Sequence, residues 1–177
     1  MAPPRAKTTA GSKELRGVDL TVTDPIERVN QFLAFARSGE YDGFDHDLLA
    51  THLHLKDAST KGTVTFHFKV PAAYCNRMGN LHGGAAALIF DICTTCALVP
   101  ISKPGYWQFA GVSAGLSVTY LRPAPLGNEV EVFCEVVNAG KRLATLRGEI
   151  RANGKVLMIA EHMKASIDPP LEPESKL

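Results

Sequence analysis

Apolar and polar positions recur along this chain with two different periods, and the change of period marks its parts. From Thr63 to Val70, Val64, Phe66, Phe68 and Val70 point one way and Thr63, Thr65, His67 and Lys69 the other, the alternation of a half-buried strand. A shorter strand, Thr51–Lys56, precedes it across the turn Ser59-Thr60-Lys61-Gly62. Between Ala85 and Val99 there is no glycine, no proline and no charge except Asp91, which predicts a buried helix of about four turns starting at Gly83-Gly84. After a loop at Ser102–Gln108, four more strands are predicted over Phe109–Leu121, Glu129–Asn138, Arg142–Ala152 and Lys155–Ile167. Their separators are Arg122–Asn128, Ala139-Gly140-Lys141 and Asn153-Gly154, the last a strong hairpin signal. Upstream, Asp24-Pro25-Ile26-Glu27 has the N-cap, first-turn proline and third-position acid of a helix start. Ile26, Val29, Phe32, Leu33 and Ala36 then recur at helical spacing as far as Gly39.

Together these elements predict an α+β fold, an antiparallel sheet around one long helix. Four segments are expected: a disordered extension over 1–23, a helix and polar link over 24–49, the main domain over 50–168, and a proline-rich extended tail over 169–177. At 177 residues the chain suffices for one domain with a sizeable core. A net charge of +1 offers no basic field for nucleic acid. No apolar run is expected to reach the ~18 residues of a membrane span. Cys75, Cys93, Cys96 and Cys134 all sit in apolar segments. Cys93 and Cys96 have redox spacing but lie mid-helix, so buried thiols in a reducing compartment are expected.

The chemistry centres on Asp91, because an unpaired ionised carboxylate inside an apolar helix is costly. On a helical projection Asp91 shares a small and polar stripe with Gly84, Ala87, Leu88, Thr94, Thr95 and Leu98. Ala85, Ile89, Ile92, Cys96 and Val99 form the fatty side, so Asp91 is expected to face a pocket rather than the core. Asp91 lies roughly 10 Å along the axis from Gly84, too far to act on a group held at its own helix N-terminus. A second chain can supply the missing half, which predicts a composite site in a two-fold dimer.

Asn76, His82-Gly83-Gly84 and Asp91, nine positions after the histidine, resemble the active-site signature of PaaI-type hotdog acyl-CoA thioesterases, nearest the thioesterase superfamily member 2 branch. The likeness continues through Gly111-Val112-Ser113, Thr119-Tyr120-Leu121-Arg122-Pro123-Ala124 and Gly140-Lys141-Arg142-Leu143-Ala144, over roughly residues 50–168. It implies a hotdog fold, an acyl-CoA substrate, no cofactor, and a homodimer or dimer of dimers. By this resemblance Asp91 is general base or nucleophile, and the Gly83 amide at the helix N-terminus polarises the thioester carbonyl. Asn76 and Ser113 orient the carbonyl and the attacking water. His82 holds the turn, and Gly84 and Thr95 line the substrate side. Arg122, Lys141 and Arg142 are the cations expected to meet coenzyme A.

No Ser–His–Asp system is apparent along the chain, and His46, His52, His54, His67 and His162 fit solvated or strand positions. His52 and His54 share a strand face but have no further ligand set, so no metal is expected. A hotdog hydratase or dehydratase is the nearest alternative enzyme; it would want an Asp–His pair on one helix, and no histidine follows Asp91 nearby. A non-catalytic acyl-CoA binding protein is the other. The final Ser175-Lys176-Leu177 is the tripeptide read by the soluble peroxisomal import receptor, so the peroxisome matrix is the expected location, with cytoplasm or mitochondrion as alternatives.

Overall fold

The computed structural model describes residues 18–169. Helix α1 (Pro25–Arg37) leads into a π-turn at Leu48–His52, followed by strands β1 (Leu53–Ser59) and β2 (Thr63–Lys69). Helix α2 (Gly83–Leu98) comes next, then β3 (Val112–Tyr120), β4 (Glu129–Ala139), β5 (Leu143–Ala152) and β6 (Lys155–Ala165). The six strands form one antiparallel sheet in the order β1-β2-β4-β5-β6-β3. Its concave face wraps α2, the arrangement expected from the alternating strands and single apolar helix.

Alternation decides the inner face. Val64, Phe66 and Phe68 of β2 are buried, as are Val130, Val132 and Cys134 of β4 and Ala144, Leu146 and Ile150 of β5. At Gly148 a Cβ would stand 2.6 Å from the Phe90 ring, so glycine is what lets α2 lie this close to β5. The β5–β6 hairpin turns at Asn153 and Gly154, with φ of 50° and 71°, the left-handed pair a two-residue turn requires. Helix α1 is capped by Asp24, whose carboxylate accepts from Glu27 N at 2.7 Å. Arg28 reaches from α1 to the carbonyls of Val99, Pro100 and Ser102 at 3.5, 3.3 and 3.1 Å, placing a cation at the C-terminal end of α2.

Several expectations are corrected. Residues 18–23 are laid against the body rather than disordered: Val18 is buried, and its N–H donates to Gln108 O at 2.8 Å. Residues 1–17 and 170–177 of the two expected terminal segments lie outside the described residues. The link before β1 is not simply polar, because the π-turn buries Leu48 and Leu49. Strand β3 begins at Val112 rather than Phe109; Trp107 and Ala110 have φ of 54° and 55°, and the Asp168 carboxylate takes the Gln108 and Phe109 N–H groups away from any strand ladder. Finally, α2 and the 3-10 turn after it form an apolar helix over Gly83–Ile101, 19 residues with mean hydropathy 1.9, long enough to cross a membrane. It holds Asp91 and is packed inside the sheet, so it is the core helix of this fold.

Candidate active site

Two halves of a site lie along α2, one at its N-terminal end and the other midway along it, at Asp91. At its N-terminal end Asn76 begins a tight turn: its Oδ1 accepts from Met78 N at 2.9 Å and Asn80 N at 3.2 Å. That use of the oxygen leaves the Asn76 amide NH₂ as the group to donate elsewhere. His82 caps the helix, its Nδ1 accepting from Gly84 N at 3.0 Å, so the neutral ring carries its proton on Nε2. The Gly83 N–H is one of the first-turn amides without an intrahelical partner. Tyr120 of β3 donates its hydroxyl to Gly83 O at 2.8 Å, and a Cβ at Gly83 would press on that ring at 3.3 Å. Asn76, Gly83, Tyr120 and Arg122 line one cleft of about 400 Å³. Arg122 is steered by a 2.7 Å bond to Val156 O.

At the other half, Asp91 opens to solvent, its side chain 42% exposed. The half-exposed stripe of α2 runs Gly83, Ala87, Leu88, Asp91, Ile92 and Thr95. Thr94 and Leu98, expected on this stripe, are buried, and Ala85 and Ile92, expected among the core positions, are half-exposed. Ser113 donates to Asp91 Oδ1 at 2.6 Å. It reaches there because β3 shifts register between Ser113 and Gly115, so that Ser113 joins Leu116 and Val118 on the helix side. Thr95 donates to the Asp91 carbonyl at 2.6 Å and accepts from Lys164 Nζ at 2.8 Å.

The residue that was missed is His162. It sits on a strand as expected but is fully buried, not solvated. Its Nε2 lies 3.0 Å from Ser113 Oγ and 3.4 Å from Asp91 Oδ1, and its Nδ1 lies 2.6 Å from Thr94 Oγ1. So serine, histidine and aspartate do meet, contrary to expectation, but in an order unlike a protease triad. Ser113 stands between the other two, Ser113 is exposed and Asp91 half-exposed, and the histidine is behind them. The Thr94 hydroxyl also lies 2.6 Å from the Phe90 carbonyl, which can only accept. Ser113 gives its one proton to Asp91, so the ring meets Ser113 as a donor through Nε2–H, and Nδ1 of the neutral ring accepts from the Thr94 hydroxyl, whose proton lies between Nδ1 and Phe90 O. Burial first, and Lys164 second, push the His162 pKa down to about 4 against the opposing pull of Asp91. The signal was present in β6, where Met158, Ala160, His162 and Lys164 keep one parity and all are buried.

Lys141 and Arg142 lie with the Asp91 half, since the Arg142 carbonyl accepts from Ser166 N beside the Ala165–Val112 pairing. The cleft at Arg122 is lined by neither of them. Cys93, Cys96 and Cys134 are buried and free, and burial pushes the Cys96 thiol up to about 12.

A family model described as thioesterase superfamily matches residues 78–159, which span both halves of the site. Over 109 residues the chain is 31% identical to human acyl-coenzyme A thioesterase 13, covering 60% of this chain and 75% of that protein. The chain belongs to the thioesterase superfamily. The crystal structure of zebra fish thioesterase superfamily member 2 superposes with a TM-score of 0.69 at 28% identity, covering 79% of this chain and 96% of that one. Mouse thioesterase superfamily member 2 shares the fold at TM-score 0.66 and 23% identity, over 81% and 98% of the two chains. The matched zone of this superfamily member ends before His162 and Lys164, so the two inward polar residues of β6 enter the site from outside it.

Proposed function

We propose that this protein hydrolyses acyl-CoA thioesters to the free acid and coenzyme A. The observation that carries this reading is Asp91, a solvent-facing carboxylate on the core helix held by Ser113 at 2.6 Å. The 31% identity to an acyl-coenzyme A thioesterase supports the substrate. In the proposed reaction Asp91 takes a proton from a water poised beside Ser113. The water oxygen bonds to the thioester carbon, and the oxyanion is met by the Gly83 N–H and the Asn76 amide. Collapse breaks the C–S bond, and the thiolate leaves with a proton.

Both halves come together only across two chains. Strand β3 is an edge strand, paired with β6 alone, and most of its residues are exposed. Ser113, beside Asp91, and Tyr120, beside Gly83, stand near its two ends. Antiparallel pairing of β3 with its copy, centred between Leu116 and Ser117, brings Asp91 to the partner subunit's Gly83. The same pairing brings Lys141 and Arg142 toward the partner's Arg122, a cationic mouth for the phosphates of coenzyme A.

A hydratase gains one argument from the structure, because His162 supplies an Asp–His pair that α2 alone lacks. Full burial behind Ser113 keeps His162 from touching an acyl chain, which favours hydrolysis. The test is thiol release from short, medium, long and aryl acyl-CoAs, with an enoyl-CoA hydration arm. Hydrolysis by wild type that falls at least ~100-fold in Asp91→Asn supports the reading. Tight binding without turnover, or hydration of enoyl-CoA, would sink it. We also propose peroxisomal delivery for a chain carrying Ser175-Lys176-Leu177 at its C-terminus; a fluorescent protein ending in residues 165–177 should enter peroxisomes and lose that address without Leu177.

A further inference from the structure

Two adjacent threonines of α2 each hold one side chain of β6. Thr94 pairs with His162 Nδ1 at 2.6 Å, and Thr95 accepts from Lys164 Nζ at 2.8 Å. His162 and Lys164 are both buried, and among the described residues Lys164 is the one lysine or arginine so placed. Its direct partner is a neutral hydroxyl, and among the described residues no carboxylate pairs with it within 4.0 Å. A buried ammonium without an ion-pair partner costs stability that a methionine of similar shape would not. The charged and titratable groups around it are few. From α2 come Asp91, one turn before Thr95, and the Cys96 thiol, which burial keeps neutral. From β6 comes His162, while β3 contributes only the Ser113 hydroxyl. From α1, Arg37 is committed to the carbonyls of Leu49 and Leu53.

We propose that Lys164 is a positioning residue of the reaction, a buried cation pinned to α2 through Thr95 that keeps the Asp91–Ser113–His162 cluster at a single negative charge. This rests on the acyl-CoA hydrolase reading above. The groups around His162 can also take an imidazolium, with the Thr94 hydroxyl turned to Phe90 O to receive Nδ1–H and Ser113 and Asp91 to receive Nε2–H. Such an imidazolium would pair with Asp91 and remove the negative charge that draws a proton from water. Burial and the Lys164 cation oppose it. Lys164 thus works without touching substrate.

The test uses the full chain with Lys164→Met, Lys164→Gln and Lys164→Arg. Two quantities are read: the pH profile of kcat/KM on an acyl-CoA substrate, and the titration of the His162 ring by ¹H–¹⁵N NMR. In Lys164→Met and Lys164→Gln the His162 titration should rise by about one pH unit or more, and the acid limb of kcat/KM should rise with it. Lys164→Arg should restore both. The glutamine variant keeps a donor for Thr95 and removes only the charge. A wild-type acid limb in Lys164→Gln, a His162 titration unmoved in both neutral variants, or a rate loss equal at every pH would overturn the proposal. If wild type hydrolyses no acyl-CoA, the hydrolase reading fails, and the His162 titration still decides whether Lys164 governs the charge of the cluster.

Discussion

Asp91 draws its consequences from three neighbours that lie far from it in the chain: Ser113, His162 and, through Thr95, Lys164. His162 has a measurable signature of its own. Its pKa is lowered to about 4 from an ordinary 6.5, so between those values the unfolded chain binds the extra proton and the folded chain resists it. Stability should therefore fall as pH drops from about 6.5 to about 4, by up to about 3 kcal/mol from this group, and change no further through it below that. Urea unfolding across this range should show the slope in wild type and a flatter profile in His162→Gln. Asp91 was legible in the sequence because a single carboxylate interrupts a long apolar helix. His162 was not, because it was judged as one of several strand histidines, while the parity it shares with Met158, Ala160 and Lys164 points inward. Ser113 was legible as a residue but not in its aim, which depends on the β3 register shift that no local pattern announces.

Among elements, α2 depends on what lets it approach the sheet and what ends it. Gly148→Ala would drive a methyl into Phe90 at 2.6 Å and against Thr94 Cγ2 at 3.2 Å. The expected cost is about 1–3 kcal/mol in urea unfolding. Turnover should fall too, since the displaced Thr94 is the partner of His162. At the other end, Arg28→Met removes the donor that α1 offers to three carbonyls after α2. That should lower stability by about 1–3 kcal/mol while leaving the pH profile of turnover in place. The strands were legible because β2 and β5 alternate cleanly and the hairpin turn Asn153-Gly154 fits only one geometry. The start of β3 was not, because Trp107 and Ala110 adopt left-handed backbone that their side chains do not signal and Asp168 holds the loop from far along the chain.

For the whole molecule, the two halves of the site lie apart in one chain, and the proposed two-fold pair would bring them together. The Gly84–Asp91 spacing and the unpaired edge of β3 are the two supports of the proposed dimer. Equilibrium sedimentation should give a mass of at least twice the 19.1 kDa chain. The measurement that tests the composite site most directly is complementation between two inactive variants, Asp91→Asn and Gly83→Val, mixed, unfolded and refolded together. In a mixed dimer one site joins the intact Asp91 to the intact glycine turn, so activity should return to about a quarter of wild type, as statistical pairing in a two-fold dimer requires. No recovery from a refolded mixture that forms mixed dimers would mean that each chain carries its own complete site, and would contradict the account.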